Sequence, residues 1–454
     1  MKTKDFFVLI VLLTALFTAC KNPFLWKEGS GDGIESSGSL VFVPINGGIE
    51  YEVGPSPTMT GHVEIPAKYN GKSVVRIGEM AFFDNRNITG VTIPDSIKSI
   101  GHAAFNGCSK LAGVTIPNSV TTIEASAFGG SGIATASIGS GANDIQTHAF
   151  GYCFNLTAIT VNSANNSYAS DNGVLYNKGK TRLVVYPAGK AGASFTIPPA
   201  VTGIEMFAFA GNNKLTGITI GAGVANIETN AFISCINLAA ITVNGSNTNY
   251  SSDGGVLYNK AGTTLITYPA GKAGTSFTIP AIVTTINTYA FMDVRSLTTI
   301  NMGDNIADIY PQAFAYCYTL TTITVSGSNS DFTSDGGILY DKSKETLLKY
   351  PEGKTGASFT IPGTVTTVGY SAVENVMNLT SVTIPNTVTK IEEWAFRSWN
   401  LKTVTFSSGS SISDGNFNQW AFIGDLKTKY LAGGAGTYKT PGSQNSDNFI
   451  WTKQ

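Results

Sequence analysis

The chain has 454 residues, and its 29 Lys and Arg with 30 Asp and Glu make only 13% charged residues and a net charge of −1. That is about half the roughly 25% usual in soluble domains, and the absence of a basic excess excludes nucleic acid as a partner. A hydrophobic content of 42% is not that of a disordered chain. Beyond the N-terminus no apolar run approaches the ~18 residues that would span a bilayer.

Residues 1–19 begin with Lys2 and Lys4 and continue into an apolar run from Phe6 to Phe17, which is too short to span a membrane and has the layout of a secretory signal. Thr18-Ala19-Cys20 resembles a bacterial lipobox, with Phe17 where Leu or Val is usual. That resemblance implies cleavage before Cys20 and acylation of its thiol, and several acyl chains hold a protein on a membrane where one does not. Residues 20–39, rich in Gly and Ser, are expected to form a flexible lipidated tether. Residues 40–80 are expected to form an N-terminal capping segment and first repeat.

From there an Ala-Phe dipeptide sets the period. Its phenylalanines are Phe82, Phe105, Phe128, Phe150, Phe209, Phe232, Phe291, Phe314, Phe396 and Phe422, with Val373 replacing one. Most steps are 22 or 23 residues, three are 59, and Phe150, Phe232, Phe314 and Phe396 follow one another at 82. A step of 59 is one unit of 23 plus an insertion of 36, so three insertions of constant length interrupt one repeat. Segments such as LTAITV (156–161), LTGITI (215–220) and LTTITV (320–325) alternate apolar with small polar residues, as half-buried strands do. Ile-Pro or a Gly turn ends each strand, as at Ile93-Pro94 and Ile384-Pro385, because proline has no ladder donor. A Val-x-x-Ile step follows (Val120 and Ile123, Val388 and Ile391), and then the Ala-Phe turn. No such unit buries its apolar face alone, so the units must stack into a continuous core.

The pattern IP-x-x-V-x-x-I-x-x-x-A-F-x-x-C-x-x-L, recurring over residues 60–425, resembles the BspA-like class of bacterial surface leucine-rich-repeat proteins. The resemblance implies a β-rich solenoid, a leucine-rich-repeat right-handed superhelix, here with three inserted β-hairpin units and the 82-residue super-repeat running through residues 81–426. Residues 427–454 lack the pattern and are expected to form a C-terminal cap or tail.

The three insertions share a motif, GVLYNKGKTRLVVYPAGKAGASFTIP at 173–198 and its counterparts at 255–280 and 337–362. Each reads as two strands around a short turn and a return strand Phe-Thr-Ile-Pro, either projecting from the solenoid edge or filling a modified coil. The pairs Tyr176 and Tyr186, Tyr258 and Tyr268, and Tyr340 and Tyr350 are expected to recur along one side.

Cys108, Cys153, Cys235 and Cys317 each stand three residues after the repeat phenylalanine. Two coils separate Cys108 from Cys153, ~10 Å by ladder spacing and beyond the ~7 Å a disulfide spans, so buried free thiols are expected. Of the three histidines, His62, His102 and His148, none belongs to an HExxH or a nucleophile-elbow pattern. Gly179-Lys180-Thr181 and Gly353-Lys354-Thr355 lack the first glycine of a phosphate loop, and a strand rather than a helix follows. Asp171, Asp253 and Asp335 supply one carboxylate per loop, fitting tight turns rather than calcium. The reading is therefore non-enzymatic, without cofactor or metal.

The BspA-like resemblance implies an adhesin-like protein of the bacterial cell envelope, lipid-anchored and facing outward, that recognises host matrix or plasma proteins or other cells. The candidate ligand surface comprises outward strand positions Thr160, Thr219, Thr242, Thr324 and Thr383, with Lys190, Lys272 and Lys354 of the insertions. An envelope scaffold is the alternative reading, and a glycan-binding or glycan-active solenoid a further one. Glu392-Glu393 is the one acidic pair inside a repeat, and neighbouring strand positions point to opposite faces.

Overall fold

The computed structural model describes residues 35–37, 40–441 and 449–454, so the expected signal segment, Cys20 and most of the expected tether lie outside the described residues. The described chain divides into two units, one of residues 29–272 with 287–293 and one of 273–286 with 294–454. Both are β-solenoids in which each coil gives a longer strand to one parallel ladder and a two-residue strand to a second.

In the first unit the strands Gly113–Ile116, Thr135–Ile138 and Ala158–Val161 pair in parallel, with Thr115, Ser137 and Thr160 in register. The strands Ser99–Ile100, Thr122–Ile123 and Asp144–Ile145 form the second ladder. Alternation sends Val114, Ile116, Ala136 and Ile138 into the core and leaves the Thr and Ser positions on the outer face. Between the ladders the Ala-Phe turns stack. The rings of Phe82, Phe105, Phe128 and Phe150 lie 5.0, 5.3 and 5.4 Å apart, near-parallel and buried. The N–H groups of Phe82, Phe105 and Phe128 donate to the carbonyls of Ala104, Ala127 and Ala149 in the next coil at 2.7–2.8 Å.

The turn has a fixed backbone requirement. The residue two before the repeat phenylalanine has positive φ in coil after coil, at Met80, Ala103, Ser126, His148, Phe207, Asn230, Tyr289 and Gln312. Such geometry costs a non-glycine residue of order 1 kcal/mol or more and persists because the neighbouring coils hold both flanks. This position is chemically varied along the chain, which matters below.

The insertions are modified coils rather than projecting hairpins. In the first, Tyr168–Asp171, Val174–Asn177 and Arg182–Val185 form an antiparallel meander, and the third of these strands then pairs in parallel with Gly203–Ile204. It therefore serves as that coil's short strand, while Ser194–Thr196 starts a new long ladder with Gly217–Ile220. The strand Tyr168–Asp171 was not foreseen. The two other insertions repeat the meander in Tyr250–Asp253, Val256–Asn259 and Thr264–Thr267, and in Phe332–Asp335, Ile338–Asp341 and Thr346–Lys349.

The six insertion tyrosines recur at equivalent positions of the three insertions and all point into the core, where they are buried. Tyr186 takes the place of the missing phenylalanine, stacking on Phe209 at 5.2 Å and donating its N–H to Ala208 at 2.7 Å. Tyr268 does the same toward Phe291 and Ala290, and Tyr350 N–H donates to Ala372. The 59-residue step is thus a 36-residue coil with an aromatic of its own, followed by an ordinary coil of 23.

At the N-terminal end, Leu40–Ile45 and Glu50–Val53 pair antiparallel, and Glu50–Val53 then runs parallel to Lys72–Ile77. At the other end the helix Leu426–Gly433 precedes Gly436–Lys439, which pairs antiparallel with Thr403–Phe406. Tyr438 and Trp451 are buried there, the latter donating Nε1–H to Ile423 O at 2.9 Å. No helix among the described residues is long and apolar enough to cross a membrane.

Candidate functional site

The candidate threonines lie on outer strand positions, Thr160, Thr242 and Thr324 exposed and Thr219 and Thr383 half-buried. They are not one continuous row. Each insertion breaks the long ladder, so Thr196, Thr219 and Thr242 form one registered set, Thr278, Asn301 and Thr324 another, and Thr360, Thr383 and Thr405 a third. The candidate lysines are half-buried and tied to their own insertions. Lys190 Nζ donates to Asn172 O, Lys272 Nζ to Gly254 O and Lys354 Nζ to Gly336 O. They brace the tight turns that follow Asp171, Asp253 and Asp335.

Among the described residues, Cys108, Cys153, Cys235 and Cys317 are buried and none is in a disulfide. Cys108, Cys153 and Cys235 donate Sγ–H to the carbonyls of Phe82, Phe128 and Phe209 at 3.1, 3.0 and 3.1 Å. Asn85 and Asn212 at the same position donate to the carbonyls of Met59 and Pro187, and Ser398, one residue earlier in its coil, donates to that of Val376. Burial pushes the thiols up to about 12, 11 and 12, so they are protonated and unreactive at neutral pH. Among the described residues no group of three or more His, Cys, Asp or Glu side chains is placed to hold a metal ion.

Where an insertion enters, both ladders need new partners, and side chains supply them. Ser170, Ser252 and Ser334 accept the N–H of Val161, Val243 and Val325 at 2.9–3.0 Å. Asn165, fully buried, donates to Gly139 O and Ala142 O and accepts from Ser167 and Tyr168 N–H. Asn247 and Asn329 repeat this arrangement. On the short-strand side, Tyr168 and Tyr250 hydroxyls accept the N–H of Ile145 and Ile227 at 2.9 and 2.8 Å, where a backbone carbonyl would otherwise stand.

This interruption of the short ladder opens a cleft at each insertion. The first, ~280 Å³, is lined by Gln146, His148, Tyr168, Val185, Glu205 and Phe207, among others. The second, ~60 Å³, has Asn230, Thr267 and Tyr289 at the equivalent positions. The third, ~230 Å³, has Gln312, Lys349 and Ser371 there, with Tyr310, Glu374 and Glu392. The backbone frame is common and the side chains are not. His148, Asn230 and Gln312 share the positive-φ position, as do Phe207, Tyr289 and Ser371.

The first cleft has one carboxylate in its wall, Glu205. Glu205 is paired with Arg182, which also reaches Glu228 at 2.7 Å. His148 stacks on Phe207 at 3.4 Å, and burial depresses its imidazole to about 3, so it is neutral. The third cleft is different. Val185, Ala188, Ala210 and Ile233 of the first super-repeat become Lys349, Glu352, Glu374 and Arg397 in the third. Lys349 Nζ lies 3.0 Å from Glu352 Oε1, which also accepts the Tyr316 N–H, and both side chains are at least nine-tenths buried. Desolvation, partly offset by Lys349, pushes Glu352 up to about 7, and it raises Glu374 despite Ser371, Lys349 and Arg397 nearby. Glu392 caps the Tyr370 N–H and pairs with Lys390. None of the three clefts was read from the sequence, although apolar-to-charged exchanges at a strict 82-residue spacing were there to be seen.

A family model described as BspA type Leucine rich repeat region matches residues 72–187, 189–265, 270–337 and 352–430. Among solved structures, a leucine rich cell surface protein from Faecalibacterium prausnitzii is 27% identical over 85% of this chain and 97% of its own, with a TM-score of 0.44. A leucine-rich repeat protein from Eubacterium ventriosum is 21% identical over 86% and 97%, TM-score 0.39. The pneumococcal vaccine antigen PcpA is 19% identical over 85% and 91%, TM-score 0.39. No curated protein gives a match.

Proposed function

The chain belongs to the BspA type leucine-rich-repeat family, and from that premise we propose that it is a non-enzymatic binding protein of a bacterial cell surface, held there through lipid on Cys20 and recognising proteins of a host matrix, of plasma or of other cells. The observation that carries this reading is the registered outer face. Thr196, Thr219 and Thr242 stand side by side on successive rungs, and Thr360, Thr383 and Thr405 repeat the arrangement, at a rung spacing of ~4.8 Å. Such rows offer neutral hydroxyls at a fixed interval, and repetition of weak contacts builds avidity. A net charge of −1 leaves little electrostatic steering, so association depends on shape and hydrogen bonding.

Solid-phase binding of the chain from residue 21 onward to immobilised matrix and plasma proteins tests the reading. Saturable binding is expected for at least one of them, changing less than about threefold between 50 and 500 mM salt. A Thr219→Lys, Thr242→Lys double variant is expected to lose at least tenfold in affinity with its unfolding transition unchanged. Background signal on every surface contradicts the reading.

A further inference from the structure

The exchanges that set the third super-repeat apart place an amine against a carboxyl where little water reaches. Lys349 and Glu352 stand where the first super-repeat has Val185 and Ala188 and the second has Thr267 and Ala270. Lys349 Nζ lies 3.0 Å from Glu352 Oε1, and the two side chains keep only 10% and 1% of their exposure. The segment between them is fixed. Tyr350 N–H donates to Ala372 O at 2.7 Å and Gly353 N–H to Leu320 O at 2.9 Å, and Pro351 has a locked φ. The two oxygens of Glu352 differ: Oε1 also accepts the Tyr316 N–H at 3.0 Å, whereas Oε2 is buried without a hydrogen bond. An ion pair so enclosed gains little, because desolvation of both charges offsets their attraction. Lys180 with Asp171 and Lys344 with Asp335 touch as closely, at 2.7 and 3.0 Å, but those side chains are 38–63% exposed.

An amine and an acid held in this way are placed to condense. A carboxyl carbon lies ~1.2 Å from its oxygen, so Nζ stands within ~4.2 Å of Glu352 Cδ, close to the ~3–3.5 Å of a near-attack pair. Burial pushes Glu352 up, which populates the acid, the form from which an oxygen leaves as water. We propose that Lys349 and Glu352 join in an intramolecular amide, Nζ to Cδ, once the third insertion has folded. The Nζ–Cδ bond forms and the Cδ–Oε2 bond breaks. Ammonium and carboxylate together hold three protons; one stays on the amide nitrogen and two leave with Oε2 as water, so no co-reactant is needed. The Tyr316 N–H holds Oε1 while that oxygen carries the charge of the tetrahedral intermediate, and keeps it afterwards as the amide carbonyl. Glu374, whose charge acts on both partners, is a second buried carboxyl able to pass a proton between them. The third cleft, lined by Lys349 and Glu374, gives the water a way out. The bond removes two buried charges from the core. Until it forms, Glu352 is a titrating group of the fold, and afterwards it is not. The two exposed pairs remain salt bridges, because water competes there for both partners. None of this depends on what the outer strand faces bind.

Mass spectrometry of the chain from residue 21 onward, followed in time from refolding, is the test. The mass is expected to fall below the sequence mass by one water. Trypsin is then expected to leave Lys349 uncut and to release residues 345–354 as one peptide lacking one water, whereas an unlinked chain yields 345–349 and 350–354. The chain itself provides the replacements for a control: Lys349→Val and Glu352→Ala copy the first super-repeat, so the backbone accepts both. Each single variant, and the double variant that leaves no lone buried charge, is expected to keep its full sequence mass. Full sequence mass in the folded native chain, cutting after Lys349, or a water loss that persists in Lys349→Val overturns the proposal.

Discussion

At the scale of single residues, the structure depends on a few buried polar groups placed where regular pairing stops. Asn165 satisfies two carbonyls and two N–H groups at once. Asn165→Ala is expected to cost roughly 3–5 kcal/mol, since each buried partner left unsatisfied costs about 1–3; a urea titration reads this directly, and a loss below about 1 kcal/mol would show that the asparagine is dispensable. The titratable groups of the clefts give opposite pH dependences. His148 is depressed to about 3 from 6.5, so the unfolded chain binds its proton first and the stability tied to the neutral ring is lost as pH falls below 6.5. Glu352 is raised to about 7 from 4.5, and Glu374 is raised as well, so there the folded chain holds the proton and stability is lost as pH rises from about 4.5 to 7. His148→Asn should therefore remove stability loss on the acid side, and Glu352→Gln the loss between pH 5 and 7. Unchanged unfolding profiles in both variants would contradict these assignments.

At the scale of elements, the coil is what the sequence made legible. The Ala-Phe period, the Ile-Pro strand ends and the cysteine column each report a purely local requirement: a stacked ring, a missing ladder donor, a small donor over a turn carbonyl. The insertions were harder to read, because what they do is decided by pairing across coils. Tyr186 is 36 residues after Phe150 and 23 before Phe209, so its place in the ring stack was implicit in the arithmetic, yet an aromatic in a Tyr-Pro-Ala turn does not announce its direction. The clefts were invisible for a stronger reason. They form because Tyr168–Asp171 and Val174–Asn177 hold the edge of Arg182–Val185, and no local pattern records an absent rung. The likeness of the three insertions hid the exchange of Ala188 for Glu352 and Val185 for Lys349, which single-period reading treats as noise.

The strictness of the 82-residue spacing makes a further prediction at this scale. Deleting residues 151–232 joins two equivalent turn positions and removes one complete super-repeat. Because repeat arrays are stabilised by nearest neighbours, the shortened chain should fold cooperatively, with a urea m-value lower by about a fifth, in proportion to the surface removed. Deleting residues 151–191 cuts a coil out of phase and should abolish the cooperative transition. Equal folding of both deletions would contradict the modular account.

At the scale of the whole molecule, the low charge has a structural cause. In a coil of 23 residues most side chains point inward, stack on a neighbour or form a turn, and none of these places accepts a lone charge cheaply. Some of the charges present are gathered in ion pairs across coils, as Arg76 with Glu52 and Glu124, and Arg182 with Glu205 and Glu228. The outer faces of the long strands carry mainly hydroxyl groups, which is why the proposed recognition is assigned to shape and repetition, and why display at the cell surface is the premise on which the proposed binding function rests. Labelling of intact cells with a membrane-impermeant amine reagent tests that premise most directly. The account predicts that the lysines of the native protein are labelled before the envelope is broken, and that a Cys20→Ala variant no longer incorporates fatty acid and is lost from the membrane fraction. Labelling only after cell disruption would contradict it.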